Sequence, residues 1–90
     1  MQRLFKALSS AQRIRIIEFL LRQEDFICYC EMEHLIDRDR SVLYRHIHKL
    51  DAVGLLDTRR KGRRIECRLK DKESVSNILQ SARRLIENED

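Results

Sequence analysis

Ninety residues carry 19 Lys and Arg against 15 Asp and Glu, a net charge of +4, and 42% are hydrophobic. That apolar content excludes wholesale disorder, and the length suits one domain, 1–90, with a moderately deep core. No apolar run approaches the roughly 20 residues a membrane span needs, and Arg3 and Lys6 interrupt any signal-peptide core, so a cytoplasmic protein without a membrane partner is expected. The charge is unevenly spread. Arg38 to Arg68 holds ten Lys and Arg against four acids, which leaves the remainder at −2 and points to one face for a polyanion.

In chain order, residues 3–8 place Leu4, Phe5 and Leu8 on one side of a short helix. Ser9 and Gln12 have capping-box spacing for a second helix, about 10–22, with Ile14, Ile17 and Leu21 on a stripe widened by Ile16 and Leu20. The pair 3–22 forms the N-terminal helices. Phe26-Ile27-Cys28 suits a very short extended piece. A third helix, about 30–36, turns Met32, Leu35 and Ile36 inward, and Asp37-Arg38 leads into the next.

That next helix runs from the cap Asp39 to Gly54. Leu43, Ile47 and Leu50 form its apolar stripe. Ser41, Tyr44, Arg45 and His48 recur on another face, with Arg40 just before them, and this face holds hydrogen-bond donors but no carboxylate. Residues 30–53 are therefore expected to be a helix-turn-helix whose second helix enters a major groove through Arg40, Ser41, Tyr44, Arg45 and His48.

Leu55 to Arg60 and Arg63 to Leu69 are extended candidates around Lys61-Gly62, and Ile65, Cys67 and Leu69 alternate with Glu66 and Arg68. Residues 55–69 then form a two-stranded wing. Arg59, Arg60, Lys61, Arg63 and Arg64 crowd its turn, a repulsion that a phosphate backbone would relieve. A last helix, 72–87, carries Val75, Ile78, Leu79, Ala82 and Leu85 and is expected to dimerise, with Leu4, Phe5 and Leu8 as a possible complement. The whole is mainly α with a small β-hairpin: a winged helix-turn-helix of about five helices plus a two-stranded wing.

The stretches LFKALSSAQRIRIIEFL (4–20), FICYCEM (26–32), DRSVLYRHIHKLDAVGLL (39–56) and RRKGRRIECRL (59–69) resemble, in register, the ArsR/SmtB family of winged-helix repressors. The resemblance implies a homodimeric repressor on a palindromic duplex operator, released by an effector. It covers nearly the whole chain but departs at three places. Arsenite-sensing members carry a third cysteine where Glu33 stands. A second zinc site of Asp, His, His and Glu would fall on Asp71, Glu73, Arg84 and Glu87, where an arginine cannot ligate. Arg38 occupies a position usually aliphatic.

Three cysteines argue against a closed disulfide framework. Cys28 and Cys30, with His34 four residues on and Glu33 beside it, make a conceivable ligand set for Zn, Cd, Pb or trivalent As. Thiol redox sensing and plain burial of all three cysteines remain open beside it. His46, between the recognition and core faces, is expected to hydrogen-bond and pack rather than coordinate. No Gly-rich phosphate loop, paired-carboxylate motif or nucleophile–base arrangement supports an enzyme. The rival from another class is a winged-helix protein–protein module that docks an acidic partner on its basic face.

Overall fold

A computed structural model of the chain describes residues 1–87, so the last three positions of the expected 1–90 domain lie outside the described residues. The elements run α1 (Gln2–Ala7), α2 (Ala11–Leu21), β1 (Ile27–Cys28), two 3-10 turns (Tyr29–Glu31 and Glu33–Ile36), α3 (Arg40–Ala52), β2 (Leu56–Lys61), β3 (Arg64–Leu69) and α4 (Lys72–Glu87). This is the winged helix-turn-helix expected, with two differences. The third expected helix is a pair of 3-10 turns, and the hairpin gains β1 as a third strand.

Asp37 and Arg38 adopt left-handed φ values of 47° and 63°, a conformation that costs an ordinary residue about 1–2 kcal/mol. Arg38 N–H donates to Glu33 O and Asp39 N–H to Ile36 O, both at 2.8 Å, and these bonds close the end of the second 3-10 turn. The third strand exists because Ile27 and Cys28 lie across from Cys67 and Glu66 on β3, giving an antiparallel sheet of order β1-β3-β2.

The helix ends follow their sequences. Asp39 accepts from Val42 N–H at 3.2 Å and starts α3. At its other end Gly54, at φ +85°, supports a paired closure in which Gly54 N–H meets Asp51 O and Leu55 N–H meets Leu50 O. The α2 cap falls one residue later than the sequence suggested. Ser10 accepts from Arg13 N–H, while the Ser9 hydroxyl donates back to Lys6 O at 2.6 Å. The buried face of α2 shifts with it, to Arg13, Ile16, Ile17 and Leu20.

The core joins those α2 residues to Met32 and Ile36 of the turns, to Leu43, Ile47 and Leu50 of α3, and to Leu56, Cys67 and Leu69 of the sheet. Val75 and Leu79 dock α4 on it, but Ile78, Leu85 and Ile86 of α4 stay exposed, as does Phe5 of α1. Among the described residues no helix is long and apolar enough to cross a membrane.

Candidate nucleic-acid interface and thiol pair

Three side chains, Leu43, Ile47 and Leu50, are wholly buried and fix the rotation of α3. Helical geometry then places Ser41, Arg45 and His48 on the opposite face, all exposed, while Arg40, also exposed, stands in the first turn beside the buried stripe and Tyr44 at the edge is half-buried. Two of these already have partners. Arg40 Nε donates to Glu33 Oε1 at 2.6 Å, and this exposed pair is worth little in water and is readily exchanged for a phosphate. The Tyr44 ring meets Tyr29 edge to face, centroids 5.2 Å apart. Arg45 and His48 take part in no ion pair or side-chain hydrogen bond among the described residues.

The hairpin turns at Gly62-Arg63, with Lys61 opposite Arg64. Gly62 takes φ +63°, which the first position of such a two-residue loop favours and a Cβ would penalise. Arg60, Lys61 and Arg63 are exposed and free of ion pairs among the described residues. Arg59 and Arg64 are not. Both turn to Glu66, at 2.8 and 3.7 Å, and Glu66 is itself 7% exposed, so strict alternation fails on β3. The Arg59 guanidinium also lies 3.9 Å over the Phe26 ring, with Arg68 at 4.3 Å on the same ring. Sequence reasoning missed this clamp. The available signal was Glu66, an acid flanked by Arg64 and Arg68 in a basic hairpin, together with the aromatic Phe26 just before the third strand.

The thiols fall into two environments. Cys28 and Cys30 are joined as a disulfide, Cα atoms 5.2 Å apart, within the usual span. Tyr29 sits between them, so this pair borders the Tyr29–Tyr44 contact directly. Cys67 is buried in the core, and burial, helped by the Asp51 carboxylate, pushes its thiol up to about 12. It therefore stays protonated and inert at neutral pH.

The structure does not assemble the expected ligand set of Cys28, Cys30 and His34. The two sulfurs are bonded to each other, the His34 ring stands edge-on to Phe19 at 5.8 Å, and Glu33 holds Arg40. Among the described residues no group of three or more His, Cys, Asp or Glu is placed to hold a metal ion. His46 does pack and hydrogen-bond as expected: Arg13 Nη1 donates to its Nδ1 at 3.1 Å. Burial first, then the charges of Arg13, Lys49 and Arg45, hold its pKa below the ordinary histidine value.

This geometry defines a winged helix-turn-helix protein. No family model matches the chain, but relatives and solved structures do. The chain is 34% identical over 65 residues to the arsenic resistance transcriptional regulator ArsR1 of Pseudomonas putida, covering 72% of this chain and 50% of that protein. It is 30% identical over 59 residues to the cadmium resistance transcriptional regulatory protein CadC of Listeria innocua, covering 66% and 49%. Among solved structures, the homodimeric winged helix-turn-helix DNA-binding domain of a possible ArsR-family regulator from Mycobacterium bovis matches with TM-score 0.77 at 20% identity, over 96% of this chain and 77% of that one. HlyU from Vibrio cholerae matches with TM-score 0.74 at 25% identity, over 92% and 87%.

The chain belongs to the ArsR family. These relatives are transcriptional regulators, not enzymes. The chain spans about half the length of the curated relatives named here.

Proposed function

We propose that this chain binds a palindromic DNA duplex as a homodimer and represses transcription from it. The observation that carries the reading is α3: a helix locked in the core on one side that presents Ser41, Arg45 and His48, with no acid among them, on the other, and Arg40 at its first turn. These residues, with Tyr44 at the edge, enter the major groove. Arg60, Lys61 and Arg63 grip phosphates from the hairpin tip, and Arg59 and Arg64 follow once released from Glu66. The exposed Ile78, Leu85 and Ile86 of α4, with Phe5 of α1, supply the apolar surface for a second copy. A regulator of this kind works in the cytoplasm.

The effector chemistry resides in Cys28 and Cys30. In the redox form of the reading, hydrogen peroxide takes two electrons and two protons from the paired thiols. The sulfurs join, and the peroxide leaves as two waters. Tyr29, tethered on both sides by the pair, transmits the change to Tyr44 on α3. The names of the cadmium and arsenic resistance relatives favour a second form, in which the reduced thiolates bind a thiophilic ion. Among the described residues no group of three or more donors is placed for such an ion, so in this form a ligand from the second copy completes the set.

Fluorescence anisotropy with duplexes from the protein's own promoter region tests the whole reading. Reduced protein should bind tightly and with strong salt dependence. Closing the pair with peroxide, or adding cadmium or arsenite, should change affinity by about fivefold or more, the usual size of such coupling. A Cys28→Ser/Cys30→Ser variant should not respond. Failure to bind any duplex would favour the protein–protein module. Binding indifferent to oxidant and ion alike would remove the thiols from the regulation.

A further inference from the structure

Away from the surfaces described so far, α1, α2 and the last turn of α3 line an open cavity of about 340 Å3. This volume lies at the small end of the range for ligand sites. Four cations line it, Arg3, Lys6, Arg13 and Lys49, and no acid does. The rest of its wall is small and apolar, from Ala7, Ala52 and Val53.

The charge gathered here is unbalanced. The ion pairs among the described residues engage Arg40, Arg59, Arg64, Arg68 and Arg83, and none engages the four cations of the cavity. Arg13 is only 7% exposed. Its Nε donates to Ala7 O at 2.6 Å, Nη2 to Lys6 O at 3.2 Å and Nη1 to His46 Nδ1 at 3.1 Å. Those partners engage each of its three nitrogens, and the carbonyl end of α1 offsets part of its charge. No carboxylate cancels the remainder. His46 registers the resulting positive potential, because the charges of Arg13, Lys49 and Arg45 add to burial in opposing its protonation.

We propose that this cavity binds a small organic anion, a carboxylate or phosphate monoester on an apolar body. The head group meets Arg3, Lys6 and Lys49 at the rim, above the buried Arg13. The body lies on Ala7, Ala52 and Val53. Such a ligand ties α1 to the C-terminal turn of α3, so its occupancy reaches the seat of the recognition helix. Dimerisation through α1 leaves the site free. On that helix Arg3, Lys6 and Ala7 share one face, while Leu4, Phe5 and Leu8 share the other. The inference is independent of the DNA and thiol readings, since none of the cavity residues belongs to either.

NMR titration of the reduced, DNA-free protein with salicylate, phenyl phosphate and neutral benzyl alcohol tests it. Saturable amide shifts at Ala7, Ala52 and Val53 are expected with at least one of the two anions and not with benzyl alcohol. The His46 pKa should rise at saturation, because a nearby anion stabilises the imidazolium. A Lys6→Gln/Lys49→Gln variant changes only exposed side chains, and circular dichroism will show that it folds. It should bind the anion at least about tenfold more weakly. The proposal is overturned if neither anion saturates, if benzyl alcohol binds equally well, or if the folded variant binds like the parent. Shifts confined to α3's first turns and the hairpin, or an unmoved His46 pKa at saturation, would overturn it too.

Discussion

The recognition helix and the hairpin carry the same sign of charge but are held in place by different forces. Helix α3 is positioned from inside by Leu43, Ile47 and Leu50, each wholly buried and each contributing about 1.5–3 kcal/mol of burial. Its outward groups can therefore stay free. In the outer hairpin, Thr58 to Lys61 are all exposed, so burial does not fix it. The strand ladder and the Glu66 clamp on Arg59 and Arg64 hold it instead. Counting basic residues overstates what the hairpin offers a polyanion. Of its five turn cations, three are free of ion pairs among the described residues.

The sharpest way to break this comparison is to test its energetic half. Ile47→Ala should cost about 2–5 kcal/mol in denaturant unfolding, whereas Arg60→Ala should fall within about 0.5 kcal/mol of the parent. Similar costs for the two would mean that the helix is not anchored as described. Next in size is specific binding. Arg45→Ala should lose about 1–3 kcal/mol on the operator if Arg45 meets a base edge. Equal losses on every sequence would make it a phosphate contact. A smaller and less obvious effect is expected from Glu66→Gln. It should destabilise the fold by about 1 kcal/mol, since Arg59 is partly solvated. By releasing Arg59 and Arg64 it should also steepen the salt dependence of DNA binding by about one phosphate contact. An unchanged slope would remove those two arginines from the interface.

The same division explains what could be read in advance. Elements set by periodicity and by local caps were legible: α3 with Asp39 and Gly54, the two hairpin strands, and the Val75 and Leu79 side of α4. What escaped depends on side-chain pairings and backbone turns that apolar periodicity does not encode. Glu66 looks solvent-facing by alternation, yet Arg59 and Arg64 across and along the hairpin draw it in. Residues 30–36 have a helical apolar pattern, but the backbone there forms 3-10 turns, ended by left-handed Asp37 and Arg38. The cysteines were legible as a chemically distinct pair. Which partner each sulfur takes was not, because spacing alone does not separate a ligand set from a bond between neighbours. His34 was legible as a candidate donor, but the contact of its ring with Phe19 of α2 was not.

The smallest expected effect concerns pH and touches only the helix side of the comparison. His46 lies behind α3 against Arg13, and its folded pKa is lowered by burial and by the charges of Arg13, Lys49 and Arg45. Between that lowered value and the ordinary 6.5, the unfolded chain binds more protons than the folded one. Stability from this group is therefore fully present above about 6.5 and is lost as pH falls through the folded value. The hairpin contains no histidine, so its clamp adds no imidazole titration in this window. Melting temperatures from pH 7.5 to 5.5 should fall further for the parent than for a His46→Gln variant, whose amide oxygen can still accept from Arg13. Parallel curves would mean that acidification acts elsewhere in the chain. A steeper fall in the variant would reverse the sign assigned to His46.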